Sequence, residues 1–356
     1  MPDLFRADYK DIRTYGGDSK GFAVDLSDNT NQWGTPPAAE RAFRAAAESM
    51  LRGYPEPYGE SLKEALAAHV GVTVDQIVTG TGSDDNLDCA FRVLARPGDV
   101  VAYQSPKFVM VPTFAKTNGL MPVPVKLKAD YGIDVEGLLA TNARIIYLCT
   151  PNNPTGNALT RDSIEAVIAR APGWVIIDEA YVDFADDDFA DLVKRSERVL
   201  VARTFSKAFG LAGARIGYGI GSPQLIHEIE KARGPYKLTS FGERAARAAL
   251  VEDLAWVREK ANLAIAERAW LAHALAERGI QCVDSQANFL FAPVAGAMRI
   301  GAAMQGRGVA VRPFANLPLI DERLAATSGE AMRITVGPRT MLETMLAALD
   351  SARSDS

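Results

Sequence analysis

From about residue 74 to residue 221, short apolar runs alternate with amphipathic stretches, the pattern of helices layered on a largely parallel sheet. Strands are predicted over 76–79, 100–105, 121–125, 143–150, 174–178, 199–204 and 215–220, and several are apolar at every position, as strands buried on both faces should be. Helices are predicted over 61–70, 83–95, 109–118, 162–170 and 223–232. Pro122 and Pro124 cannot donate to a ladder, which places their strand at the sheet edge. From 240 to 278 the pattern is helical and rich in Ala, Glu and Arg. After Gly279 short strands return at 281–284, 288–292, 309–312 and 332–336, with helices at 298–306 and 340–352. The expected fold is therefore α/β, with a mostly parallel seven-stranded sheet in a larger domain and a smaller α+β domain behind it.

The 356 residues suffice for two domains, and a hydrophobic share of 48% with 23% charged is that of an ordinary globular chain. A net charge of −5 provides no basic field for nucleic acid or an anionic membrane. Cys89, Cys149 and Cys282 are too scattered for a disulfide framework or a zinc motif, and His69, His227 and His273 lack a second ligand at helical spacing, so no metal is expected. The N-terminus carries charges where a secretory signal needs an apolar run, and no stretch approaches the roughly 18 apolar residues of a membrane span. A cytoplasmic location is expected. The aspartate-rich stretch 185–191 lacks the pattern of a calcium loop and reads as a solvated turn.

Four segments could carry chemistry. Gly80-Thr81-Gly82-Ser83-Asp84-Asp85 joins a strand to a helix, where free backbone N–H groups and glycine suit an anion. Alone, it reads first as a glycine-containing turn with Ser83 as helix N-cap. Cys149-Thr150-Pro151-Asn152-Asn153-Pro154-Thr155-Gly156 is a rigid turn that would hold Asn153 at the C-terminal edge of the sheet. Trp174 to Tyr181 is a buried strand ending in Asp178, a carboxylate that needs a cation or donors. Arg203-Thr204-Phe205-Ser206-Lys207-Ala208-Phe209-Gly210, followed by Gly213 and Arg215, sets a lysine among small and hydroxyl neighbours, the setting of a nucleophilic amine.

Asn-Pro-Thr-Gly, Asp-Glu-Ala-Tyr, Ser-Lys-Ala-Phe-Gly and the later Arg333-Ile334-Thr335-Val336-Gly337 form one ordered set spanning nearly the whole chain. In that order they resemble the fold-type I pyridoxal-phosphate aminotransferases of class I/II, and within them the histidinol-phosphate aminotransferase-like group. The resemblance implies pyridoxal 5'-phosphate as cofactor. It implies that Lys207 forms the Schiff base and shuttles the substrate proton, that Asp178 pairs with the pyridine nitrogen, and that Asn153 and Tyr181 bond the ring oxygen. Phe108 would stack on the ring. Ser83 and Asp84 would seat the phosphate, with Thr204, Ser206 and Arg215 closing the cup. Tyr54 matches a tyrosine that reaches the phosphate of the neighbouring subunit, which implies a homodimer.

For substrate, the resemblance makes Arg333 the holder of an anionic group, with Tyr9 and Asn29 as further contacts. Phe314 stands where the histidinol-phosphate enzymes often carry a second arginine, and the loop 315–331 is long enough to reshape the pocket mouth. The expected reaction is amino transfer between a small amine or amino acid and 2-oxoglutarate, with histidinol phosphate first among donors. An aromatic amino acid is the alternative donor, and a decarboxylase of the threonine-phosphate type is the alternative reaction. The expected units are an N-terminal arm 1–34, a large cofactor-binding domain 35–245 and a small domain 246–356.

Overall fold

The computed structural model describes residues 9, 10, 12, 14, 16, 21–45 and 48–354. The chain enters through a short strand, β1 (Val24–Asp25), and then builds a seven-stranded sheet from β2 (Ile77–Thr81), β3 (Val100–Ser105), β4 (Met121–Lys126), β5 (Ile145–Cys149), β6 (Trp174–Asp178), β7 (Val199–Thr204) and β8 (Ile216–Ile220). The strand order is β2-β8-β7-β6-β5-β3-β4. β8 alone runs antiparallel to its neighbours; every other pairing in this sheet is parallel. The proline-bearing β4 is at the edge, where its missing N–H groups are tolerated.

The inner strands bury both faces, and successive residues divide between two cores. Ile146, Leu148, Val175, Ile177 and Val201 pack with the helices Glu60–Val70, Arg161–Arg170 and Ser240–Glu252. Ile145, Tyr147, Ile176, Leu200 and Ala202 pack with Gly82–Leu94, Met110–Thr117 and Pro223–Arg233. A third core lies around β9 (Phe289–Pro293), β10 (Val309–Ala310), β11 (Arg312–Phe314) and β12 (Ala331–Thr335). β12 sits between β11 and β9, antiparallel to both, and β1 pairs with β10 in parallel. Leu290, Met332 and Ile334 face this third core. Phe289, Phe291, Arg333 and Thr335, one step out of phase, face the large sheet. The helix Leu254–Ala276 serves two cores: Val257, Ala261 and Ala264 join the first, and Leu271, Ala274 and Leu275 the third.

The structure adds the unpredicted helices Pro37–Arg44, Glu48–Arg52 and Val135–Ala140 and the short β1, and departs from the reading elsewhere too. Residues 281–284 form no strand and make only the bridge Val283–Phe291. Residues 309–312 divide into β10 and β11, which pair with different partners. The helical run from 240 breaks at Asp253, whose carboxylate accepts a bond from Ala38 N at 2.5 Å. The aspartate-rich stretch is not merely solvated: Arg161 binds Asp187 and Asp191, and Arg203 binds Asp188. The loop 315–331 contains the helix Glu322–Ala326, buries Ile320 and Leu324 in the first core, and is tied to the sheet edge by a bond from Lys126 Nζ to Leu319 O. No helix among the described residues is long and apolar enough to cross a membrane.

Candidate active site

The ends of β2, β5, β6 and β7 and the start of the reversed β8 open onto one edge of the sheet. This is where ligands sit in open α/β folds. A cavity of about 280 Å³ lies there, between that edge and β12. Ser83, Asp84, Phe108, Asn153, Asp178, Tyr181, Thr204, Ser206, Lys207, Arg215, Asn29 and Arg333 all line it.

The helix Gly82–Leu94 begins at one end of the cavity. Its cap residue is Thr81, not Ser83, because Gly82 takes a left-handed turn (φ +76°) that puts Ser83 inside the first helical turn. The Thr81 hydroxyl turns away to Lys237 O (3.0 Å) and makes no cap; Gly82 N donates to Arg215 O at 3.1 Å, and the N–H groups of Ser83 and Asp84 after it stay open to a ligand. Space there depends on glycine. A Cβ on Gly217 would lie 2.2 Å from Ser83 N, and one on Gly82 would lie 2.6 Å from Arg215 Nη2. Arg215 follows in its own left-handed turn (φ +56°), with Nη2 3.7 Å from Asp84 Oδ2. Thr204 Oγ1 donates to Ser206 Oγ at 3.0 Å beside them. An open helix terminus with a guanidinium and two hydroxyls is an anion cup.

Asp178 ends β6 and is buried. Tyr147 Oη donates to its Oδ2 at 2.5 Å and Ala180 N to its Oδ1 at 3.1 Å. Burial lifts the carboxyl to about 6 and the Tyr147 bond opposes the rise. Sequence reasoning missed Tyr147. β5 sets Cys149 opposite Asp178, so Tyr147 lies one pair back on the same face.

Lys207 follows β7, and its Nζ donates to Asp28 O at 3.2 Å. Burial, then the nearby Arg333 charge, lower its pKa to about 8, so a sizeable fraction of the amine is neutral near physiological pH. Arg333 closes the far wall: Nη1 donates to Asn153 Oδ1 at 2.7 Å and Nη2 to Ser27 O at 2.5 Å. Asn29 Nδ2 donates to the Tyr181 hydroxyl at 3.0 Å, and the Asn29 backbone is held by Thr335 Oγ1 and Asn288 Nδ2. Thr335 and Asn288 were not picked out from the sequence.

Three expected site residues lie elsewhere. Tyr54 is 85% exposed and stacks on Tyr236, away from this chain's cavity. Tyr9 is on the surface. Phe314 flanks Arg333, its ring 6.0 Å from the guanidinium and packed against Phe291, without lining the cavity.

An amine with a depressed pKa, a buried carboxylate and an anion cup at one sheet edge fit the aldehyde, ring nitrogen and phosphate of pyridoxal 5'-phosphate. The fold and the cavity thus define a lysine-dependent pyridoxal-phosphate enzyme of fold type I.

The family model for aminotransferase class I and II matches residues 23–349. A curated histidinol-phosphate aminotransferase 2 of Ralstonia nicotianae is 38% identical over 343 residues, covering 92% of this chain and 88% of that protein. The crystal structure of histidinol-phosphate aminotransferase from Sinorhizobium meliloti in complex with pyridoxal-5'-phosphate superposes with a TM-score of 0.88 at 27% identity, covering 99% of this chain and 98% of that one. L-threonine-O-3-phosphate decarboxylase from Porphyromonas gingivalis shares the fold, with a TM-score of 0.79 at 20% identity over 93% of this chain and 99% of that one. This chain belongs to the class I and II aminotransferase family. It is an aminotransferase of small-molecule substrates, and pyridoxal 5'-phosphate is its cofactor.

Proposed function

We propose that the protein is a cytoplasmic, homodimeric histidinol-phosphate aminotransferase of histidine biosynthesis, with 2-oxoglutarate as acceptor. The observation that carries the chemistry is the convergence of Lys207, Asp178 and the open N-terminus at Ser83 and Asp84 on one cavity that Arg333 closes. The named donor is supported by relatives such as the Ralstonia protein. Residues 35–245 form the cofactor-binding unit in this reading and 246–356 the smaller one, with the N-terminal segment adding Asn29 to the site.

Bound pyridoxal phosphate supplies an aldehyde that takes the amino group and a ring that accepts electron density from the donor's Cα. Lys207 Nζ would hold the cofactor's aldehyde carbon and, freed from it by the donor's amine, would carry the donor's Cα proton. Asp178, favoured in its ionised form by the Tyr147 hydroxyl and Ala180 N, would keep a proton on the ring nitrogen. Asn153 and Tyr181 would bond the ring oxygen, and Phe108 would cover a ring face. Ser83, Asp84, Thr204, Ser206 and Arg215 would hold the phosphate, and Tyr54 of each chain would complete the other chain's cup. Arg333 binds the donor's anionic group.

An aromatic amino acid remains the alternative donor, although the rings beside the Arg333 guanidinium, Phe289 (5.5 Å) and Phe314 (6.0 Å), lie outside the cavity and do not favour it. A panel of histidinol phosphate, phenylalanine, tyrosine and aspartate with 2-oxoglutarate separates the readings. Histidinol phosphate should give the highest kcat/KM. Preference for phenylalanine or tyrosine would overturn the donor, and carbon dioxide release without need of a keto acid would overturn transfer itself.

A further inference from the structure

The segment 234–239 links the helices Pro223–Arg233 and Ser240–Glu252, and Tyr236 within it has φ +61°. A bulky side chain in the left-handed region is unfavourable and persists only where its surroundings over-determine it. Here they do. Tyr236 N donates to Pro57 O at 2.8 Å, and the ring stacks on Tyr54 with centroids 4.8 Å apart at 29°. On the other side, Lys237 O accepts from Thr81 Oγ1 at 3.0 Å and Lys237 Nζ meets Asp85 Oδ1 at 3.0 Å. Thr81 ends the edge strand β2 and Asp85 belongs to the helix that begins at the cup, so the segment is tied to both elements that carry the cup's N-terminus. Tyr58 O, accepting from Thr79 Oγ1 at 2.8 Å, fixes the other end of the Tyr54 loop to the same strand.

With Tyr54 85% exposed, the stacked pair removes little apolar surface from water. What the contact does fix is the direction of the Tyr54 ring. We propose that Tyr236 is a positioning residue for cofactor binding, holding Tyr54 so that its hydroxyl is presented to the phosphate cup of a second copy of this chain. The inference rests on the reading that Tyr54 acts across the dimer. A tyrosine left to sample its rotamers would bond the phosphate less often, and dissociation of the cofactor would rise in proportion.

The test is titration of cofactor-free dimer with pyridoxal phosphate, followed by absorbance, for Tyr54→Phe, Tyr236→Phe, Tyr236→Gly and the double variant Tyr54→Phe/Tyr236→Gly. Melting of the cofactor-free protein and sedimentation velocity are measured alongside. Tyr54→Phe removes the hydroxyl alone and should raise Kd about ten-fold, the loss of one bond to an ionised group. Tyr236→Gly relieves the backbone and removes the ring. It should raise Kd several-fold without lowering the melting temperature, while Tyr236→Phe, which keeps the stack, should bind as the parent does. The double variant should bind no more weakly than Tyr54→Phe, because there is then no hydroxyl to position. If Tyr54→Phe raises Kd but Tyr236→Gly does not, or if the two effects add in full, the positioning role is overturned while the reading of Tyr54 stands. If Tyr54→Phe binds like the parent, the reading of Tyr54 itself fails and the inference falls with it. A rise in Kd that sedimentation traces to dissociated chains also overturns it.

Discussion

Tyr147 donates its hydroxyl proton to Asp178 Oδ2 at 2.5 Å, from the neighbouring strand and on the same face of the sheet. Burial raises the Asp178 carboxyl to about 6 in the cofactor-free protein, and this bond is the first of the groups that hold it down. A protonated Asp178 cannot pair with a cationic ring nitrogen, so cofactor affinity should fall as the pH drops through about 6. Tyr147→Phe removes the bond, lets the carboxyl pKa rise further, and should move that inflection upward by roughly one to two pH units. Cofactor Kd against pH for both proteins checks this, and identical profiles would leave Tyr147 a packing residue.

Lys207 has the reverse sign. Its amine is the nucleophile only when neutral, and its pKa is lowered to about 8 by burial and by Arg333. Capture of cofactor by the apoprotein should therefore speed up as the pH rises through about 8 and then level off. Lys207→Ala should have no turnover, and borohydride reduction followed by peptide mapping should place the cofactor on Lys207. A label on another lysine would refute the assignment.

Gly217 has no side chain because Ser83 N occupies its place. Gly217→Ala would put a Cβ 2.2 Å from that nitrogen, and backbone rather than a flexible side chain must move. The variant is expected to lose about 1–3 kcal/mol of stability from overpacking. It should also bind pyridoxal phosphate at least about ten-fold more weakly as the cup shifts. Thermal melting and cofactor titration read the two effects separately.

Arg333→Ala should weaken every productive donor about ten- to a hundred-fold, the loss of a charge-assisted bond to an ionised group. Phe314→Leu should leave the ratio of kcat/KM for histidinol phosphate and phenylalanine unchanged, because Phe314 flanks Arg333 outside the cavity. A shift of that ratio by about ten-fold would bring the ring into the donor pocket.

The large sheet was legible because its strands bury both faces and read as apolar runs bounded by turns; 100–105, 174–178 and 199–204 match the observed strands in every residue. Pairing was less legible. Residues 281–284 have strand composition but find only one bridging partner, and Val311 separates two strands that pattern alone joins. At the site, the residues after strand ends stood out because their types are costly or unusual there. Tyr147 did not, since a tyrosine in an apolar run passes for core; the clue was that a hydroxyl buried on both faces must meet an acceptor. The cap at Thr81 was hidden for another reason: the positive φ of Gly82 shifts the helix start, and composition does not record a dihedral.

The reversal of β8 has a consequence for how the site comes into being. Parallel neighbours in this sheet need crossovers, whereas β7 and β8 are joined by one loop, from Phe205 to Arg215, that contains Lys207 and has Arg215 at its exit. Closing a short hairpin forfeits less chain freedom than closing a crossover. The two cations that greet the cofactor thus belong to a local unit of the chain. The partners they await, Asp178 from the adjacent strand and Arg333 from far along the sequence, arrive by progressively longer closures.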